Sequence, residues 1–168
     1  GLGSGANNWV LSFTEYDGSL IAGGLFLRAG GTSCSKIARW DGGAWWPLGP
    51  GLEPDASIGQ VRSLCVHDGT LIAGGSFTYT GTWEDAVAIA SWNGQEWEEF
   101  GGGMNNSVTS MCIYEGDLIV GGYFTRAGGV SSQRIARWDG QQWHPLGTGA
   151  DDRVHALLPQ LVSLARCR

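Results

Sequence analysis

The chain writes one phrase three times. Leu20-Ile21-Ala22-Gly23-Gly24 returns as Leu71-Ile72-Ala73-Gly74-Gly75 and as Leu118-Ile119-Val120-Gly121-Gly122. Ile37-Ala38-Arg39-Trp40-Asp41-Gly42 returns at 89–94 and 135–140. The spacings are 51 and 47 residues for the first phrase and 52 and 46 for the second. A period of this length describes stacked copies of one supersecondary unit, none of which can bury its apolar face alone. An ordinary globular core with no internal symmetry is excluded.

The third copy gives the cleanest reading of the unit. Residues 108–114 form a β-rich run whose apolar alternation, at Val108, Met111 and Ile113, is only roughly kept. Glu115-Gly116 then turns the chain, as do Asp17-Gly18 and Asp68-Gly69 in the other copies, and such dipeptides favour two-residue hairpins. Residues 118–122 are an unbroken apolar run that suits a strand buried on both faces. A longer connection leads to a third strand at 134–138, an Asp139-Gly140 turn, and a fourth strand at 143–146. Four short antiparallel strands per unit of about 50 residues predict a propeller blade. The expected fold is therefore all-β: three four-stranded antiparallel blades with partial blade strands at both ends. The divisions are a tail strand of a preceding blade at 1–9, blade 1 at 10–49, blade 2 with its inter-blade loop at 50–101, and blade 3 at 102–147. Residues 148–168 supply a loop, the first strand of a following blade and a possible docking tail.

Composition agrees with this. The 29 glycines are well over twice the usual share, follow no Gly-X-Y period and fall at fixed places in the repeat, so they read as turns and close approaches. Six of the nine Trp (Trp40, Trp45, Trp92, Trp97, Trp138 and Trp143) are repeat columns and read as packing between blades. The net charge is -6, with one Lys against nine Arg and no basic stripe, which argues against nucleic acid. No apolar run is long enough to span a bilayer.

A strand closing in Gly-Gly, then a Trp at a strand end, then a second Trp five residues on, resembles the kelch motif. The sets are Gly23-Gly24 with Trp40 and Trp45, Gly74-Gly75 with Trp92 and Trp97, and Gly121-Gly122 with Trp138 and Trp143. The chain departs from kelch in carrying Trp where Tyr is usual. It also adds a Phe-x-x-Ala-Gly-Gly phrase at 26–31 and 124–129, and so looks more like the Gly- and Trp-rich propeller repeats of bacterial secreted or surface proteins. The resemblance implies a protein-binding role, with the galactose-oxidase-like enzyme scaffold as an alternative. That enzyme's copper-binding Tyr and His set has no matching positions here.

Antiparallel order puts the uniform Asp-Gly or Asn-Gly turns on one face. The long, variable connections, 27–36, 78–88 and 125–133 within blades and 50–60, 101–107 and 147–153 between them, lie on the other. Binding residues usually sit on variable loops held by a rigid scaffold. Trp9, Trp46 and Trp83 break the repeat, replacing polar residues or standing in the longer second loop. Exposed Trp suits sugar stacking or a protein contact. Trp83 with Tyr79, Glu84 and Asp85 is the best single cluster, and a lectin-like role is the main alternative function. Arg28 and Arg126 share a column, with Tyr79 between them, and could read an acidic ligand. Arg39 and Arg137 are expected to brace neighbouring blades. Asn105-Asn106-Ser107 is a glycosylation sequon and points toward a secreted or cell-surface setting.

No catalytic set, cofactor motif or metal-ligand spacing is found: His67, His144 and His155 occupy three different columns. Cys65 and Cys112 share a column and read as core thiols, while a bridge involving Cys34 or Cys167 stays open. Residues 2–10 match 146–154 column by column, so the chain opens in mid-repeat and reads as a processed or excised piece. Three blades do not close a ring. The missing sectors are expected from identical chains, in a ring or a filament, or from further blades of a longer polypeptide. The expected function is a non-enzymatic extracellular binding or assembly module.

Overall fold

The computed structural model describes residues 4–53, 59–80 and 87–157. Blade 1 holds β1 (Val10–Tyr16), β2 (Ser19–Gly24), β5 (Ile37–Trp40) and β6 (Trp45–Pro47), hydrogen-bonded in that order. Its connection between β2 and β5 folds into a small hairpin, β3 (Arg28–Ala29) and β4 (Thr32–Ser33). Blade 2 is β7 (Val61–His67), β8 (Thr70–Gly75), β9 (Ile89–Trp92) and β10 (Trp97–Glu99). Blade 3 is β11 (Val108–Tyr114), β12 (Asp117–Gly122), β15 (Ile135–Trp138) and β16 (Trp143–Pro145), with a second small hairpin, β13 (Arg126–Ala127) and β14 (Val130–Ser131). All pairings are antiparallel, and no helix occurs among the described residues.

The turns between first and second strands have positive φ at both central residues: Asp17 and Gly18, Asp68 and Gly69, Glu115 and Gly116. That is the type I′ geometry, whose twist matches the flanking strands. The loose alternation of the first strands has a local cause. The register slips between Val10 and Ser12, between Val61 and Ser63, and between Val108 and Ser110. Each slip is a β-bulge, which inserts one residue and moves the alternation out of phase. Val61 and Leu64, three apart, therefore share one face.

That face is the leading one, turned toward the preceding blade. A Cβ added to Gly23 would lie 2.5 Å from Val61 Cγ1 and 3.3 Å from Leu64 Cδ1. Gly74 stands in the same relation to Val108 and Met111. Glycine is required at these columns because the next blade's first strand lies directly on the backbone of the second. The first strands thus run side by side, β7 between β1 and β11. Between blades 1 and 2 the core joins Ile21, Ile37 and Leu48 to Val61, Leu64, Leu71, Phe77, Trp92 and Trp97. Between blades 2 and 3 it joins Ile72 and Ile89 to Val108, Met111, Leu118, Phe124 and Trp143. The architecture is that of a β-propeller arc: two of the three core clusters lie between sheets, and the third, Ala22, Phe26, Ala29, Cys34, Ala38 and Trp45, lies within blade 1.

Residues 4–9 form no strand. Ala6 instead bridges to Ala29 in blade 1's own hairpin, as Leu52 bridges to Thr80 and Met104 to Ala127. Residues 151–157 form no strand either, yet they begin to occupy the seat a fourth first strand would take.

Candidate assembly interface

Four devices recur from blade to blade, the first two across the junctions and the other two within each blade. The first is a serine on the trailing side of the first strand. The Leu64 amide donates to Ser12 Oγ at 3.0 Å and the Met111 amide to Ser63 Oγ at 3.0 Å. The second is an indole rivet: Trp97 Nε1 donates to the Leu48 carbonyl at 3.2 Å and Trp143 Nε1 to the Gly101 carbonyl at 2.9 Å. The paired Trp columns pack in cross-strand contact, with ring centroids 5.5, 5.4 and 5.1 Å apart in blades 1, 2 and 3. Gly49 and Gly101 let these rings approach, since a Cβ on Gly49 would lie 2.6 Å from the Trp92 ring.

The third device is a latch on the variable face. Asn7 Oδ1 accepts from the amides of Leu27 and Arg28, both at 2.9 Å. Asn105 Oδ1 accepts from Thr125 and Arg126 at 2.8 and 2.9 Å, and Glu53 Oε2 from Thr78 at 2.8 Å and Tyr79 at 3.4 Å. Each inter-blade loop thereby grips the hairpin or loop of the blade it leads into. The fourth is a left-handed non-glycine residue, Lys36, Ala88 or Arg134, whose amide and carbonyl are both bonded within its own blade.

These devices continue past blade 3. A Cβ on Gly121 would lie 2.5 Å from Val154 Cγ1 and 3.3 Å from Leu157 Cδ1, repeating the Gly23 and Gly74 geometry. The Leu157 amide donates to Ser110 Oγ at 2.9 Å, and Thr109 Oγ1 donates to the Val154 carbonyl. Asp151 stands in the latch column, exposed.

The leading face of blade 1 is different. Phe13, whose counterparts Leu64 and Met111 are each 7% exposed, is 53% exposed, and Leu11 and Trp9 are exposed beside it at 40% and 72%. Leu20 and Trp40 on the same sheet are half-buried. This is the apolar side of a junction with no blade before it among the described residues.

The residues singled out from sequence fall as follows. Trp83, Glu84, Asp85 and Cys167 lie outside the described residues. Trp9 is 72% exposed just before β1. Trp46 is 49% exposed, but its Nε1 donates to Asp41 Oδ2 at 2.7 Å. That bond belongs to a turn device the sequence reading missed. Asp41, Asn93 and Asp139 each take the amides two and three residues on, then bond the residue five on: Trp46, Glu98 or His144. Donor and acceptor swap together, Asp with Trp or His and Asn with Glu, and that pairing was the available signal. The backbone amides of Gln142 and Gln141, with His144, hold the Asp139 carboxyl well below the usual carboxylate range; Ala44, Gly43 and Trp46 do the same for Asp41.

Tyr79 lies on the latch of blade 2 through its backbone. Arg28 and Arg126 sit exposed at the start of their hairpins. Arg126 and Asn105 share a cleft of about 250 Å³ with Glu99. The Asn105 amide is in use, since Nδ2 donates to Thr125 Oγ1 at 2.9 Å. Arg137, expected to brace a neighbouring blade, instead pairs with Asp117 of its own blade at 2.6 Å. Strand 3 lies beside the start of strand 2, which puts the acid within reach. Cys34, Cys65 and Cys112 are free thiols; burial pushes Cys65 up to about 11 and raises the other two, so all three stay protonated at neutral pH. No group of three or more His, Cys, Asp or Glu able to hold a metal occurs among the described residues.

No curated protein sequence matches the chain. In fold it is similar to the crystal structure of the computationally designed Ika4 protein, with a TM-score of 0.56 at 16% identity over 93% of this chain and 82% of that one. Residues 4–161 match the family model described as the Rax2 C-terminal beta propeller domain. With its blades, glycine seats and inter-blade latches, the chain belongs to the Rax2 C-terminal β-propeller domain family.

Proposed function

We propose that this propeller domain is a non-catalytic assembly module, with kelch-like blades, that associates head to tail with a second copy of itself. The observation that carries this reading is the exposed Phe13 in a column that is buried at both internal junctions. The leading face of blade 1 offers Val10 and Phe13 to a Gly-and-Ser seat, and the trailing face of blade 3 carries such a seat at Gly121 and Ser110. Residues 154–157 hold that seat as a single segment. A second copy's blade 1 brings Val10 and Phe13 together with Leu20 and Trp40, so it covers far more apolar surface than the segment it displaces. Such a contact is heterologous and produces a ring or a filament according to its rotation. A secreted or cell-surface setting rests on the Asn105 sequon.

Light scattering across a concentration series tests the assembly. The expected result is a mass rising to multiples of the 17.8 kDa chain. Phe13→Asp, at an already exposed position, should return the protein to a folded single copy. A folded wild type that stays a single copy at every concentration would overturn the proposal, as would a Phe13→Asp variant that associates unchanged.

A further inference from the structure

The two internal junctions differ at one end. Between blades 2 and 3, Phe100 lies against Trp138 with ring centroids 5.0 Å apart and meets Trp143 edge-on at 6.0 Å. Its ring fills the space beside the 3–4 turn. In the same column between blades 1 and 2 stands Leu48, which is shorter and has no ring. A cleft of about 290 Å³ opens there, lined by Leu48, Trp92, Gly94, Tyr16, Asp17 and Arg39 among others. It lies on the face of the uniform turns, the side that the sequence reading set aside.

The lining has a definite chemistry. Arg39 supplies a fork of donors, Asp17 at the type I′ turn supplies a carboxylate, and Tyr16 supplies a phenol. Trp92, 8% exposed, borders the same space. Asp41, whose carboxyl is held low chiefly by the Ala44 and Gly43 amides and Trp46 and least by Arg39, follows in the turn just past that strand. One guanidinium in the lining with the Asp17 carboxylate, and Asp41 in the adjoining turn, leaves no surplus positive charge, so an anionic ligand gains little. Vicinal hydroxyls do better: a carboxylate accepts from two of them, a guanidinium donates to two, and an aromatic surface takes the apolar C–H face of the ring. The volume suits one sugar ring and not an extended chain.

We propose that the cleft between blades 1 and 2 is a binding site for a neutral hexose. The site stands apart from the assembly contact, since one chain supplies its whole lining and none of it belongs to the open leading face.

Titration of the isotopically labelled full chain with free glucose, galactose, mannose and N-acetylglucosamine, followed by NMR, tests this. At least one sugar should give saturable shifts confined to Tyr16, Asp17, Arg39 and the Trp92 indole. Two variants borrow residues that the same columns already tolerate in blade 2. Leu48→Phe should fill the cleft, as Phe100 does, and abolish the shifts. Arg39→Ser, the residue at position 91, should weaken binding at least about tenfold through the lost charged donor. No saturable shift with any of the four sugars would overturn the proposal. So would shifts that persist undiminished in a folded Leu48→Phe variant.

Discussion

The junctions between blades 1 and 2 and between blades 2 and 3 are built from the same columns, yet at the turn end one is filled by Phe100 and the other is cleft beside Leu48. Both have a glycine seat, a serine bond and an indole rivet. They part at Leu48 against Phe100, at Tyr16 against His67, and at Arg39 against Ser91. His67 Nε2 lies 2.9 Å from the Gly116 carbonyl of the next blade, and so His67 stitches the second junction where Tyr16 lines a space in the first. The comparison separates two jobs within one repeat. The columns that hold blades together do not vary, and the ring of variable residues at the turn end decides whether a seam is also a binding surface.

If the frame is truly shared, the seats should respond alike. Gly23→Ala and Gly74→Ala each force a Cβ to 2.5 Å from a valine methyl, and each should cost about 2 kcal/mol through overpacking, read by urea unfolding. Gly121→Ala meets the same nominal clash but faces only residues 154–157, which can move away, so its cost should stay under about 1 kcal/mol. Three equal costs would mean that this short segment is seated as firmly as a complete blade.

The difference between the seams is next in size. Phe100→Leu should open the second junction and cost about 1–2 kcal/mol. Leu48→Phe should be neutral to within about 1 kcal/mol, because the space is already present. A large loss in the second variant would show that the two seams differ in backbone shape and not only in one side chain.

Ser63→Ala leaves the buried Met111 amide without an acceptor and should cost about 1 kcal/mol, with Ser12→Ala close behind. The smallest effect concerns the 3–4 turns. Asp41 and Asp139 have folded values below 3.8, so their contribution is complete above that pH and drains away as pH falls through the lowered values. Asp139→Asn should flatten the acid limb of a stability–pH curve and lose the bond to His144. Adding His144→Glu should restore the bond by copying the Asn93–Glu98 pair of blade 2. An acid limb unchanged in the single variant would remove the turn carboxylate from the account.

The repeat made the blades legible: the doubled glycines, the Asp-Gly turns and the paired Trp columns each mark an element that the structure contains. The small hairpins at 28–33 and 126–131 were read as plain connections because a two-residue strand carries no periodicity, although the Phe-x-x-Ala-Gly-Gly phrase marked the place. The bulge hid in plain view as broken alternation in the first strands. Trp46 read as a spare aromatic because its partner Asp41 was already explained as a turn residue. The cleft was the least legible of all. It arises from a side chain that is smaller than its counterpart, and sequence patterns record what is present more readily than the room left over.

The latch at Asn7, Glu53 and Asn105 grips peptide amides in every copy, and only Asn105 adds a side-chain bond, to Thr125 Oγ1. It asks little of the side chains on the segment it grips, and Arg28, Tyr79 and Arg126 are accepted alike. A duplicated unit inserted beside any other would find its fastening already in place. Gene duplication could therefore lengthen or shorten such an arc without each new seam having to evolve afresh, leaving the gripped loops free to diversify.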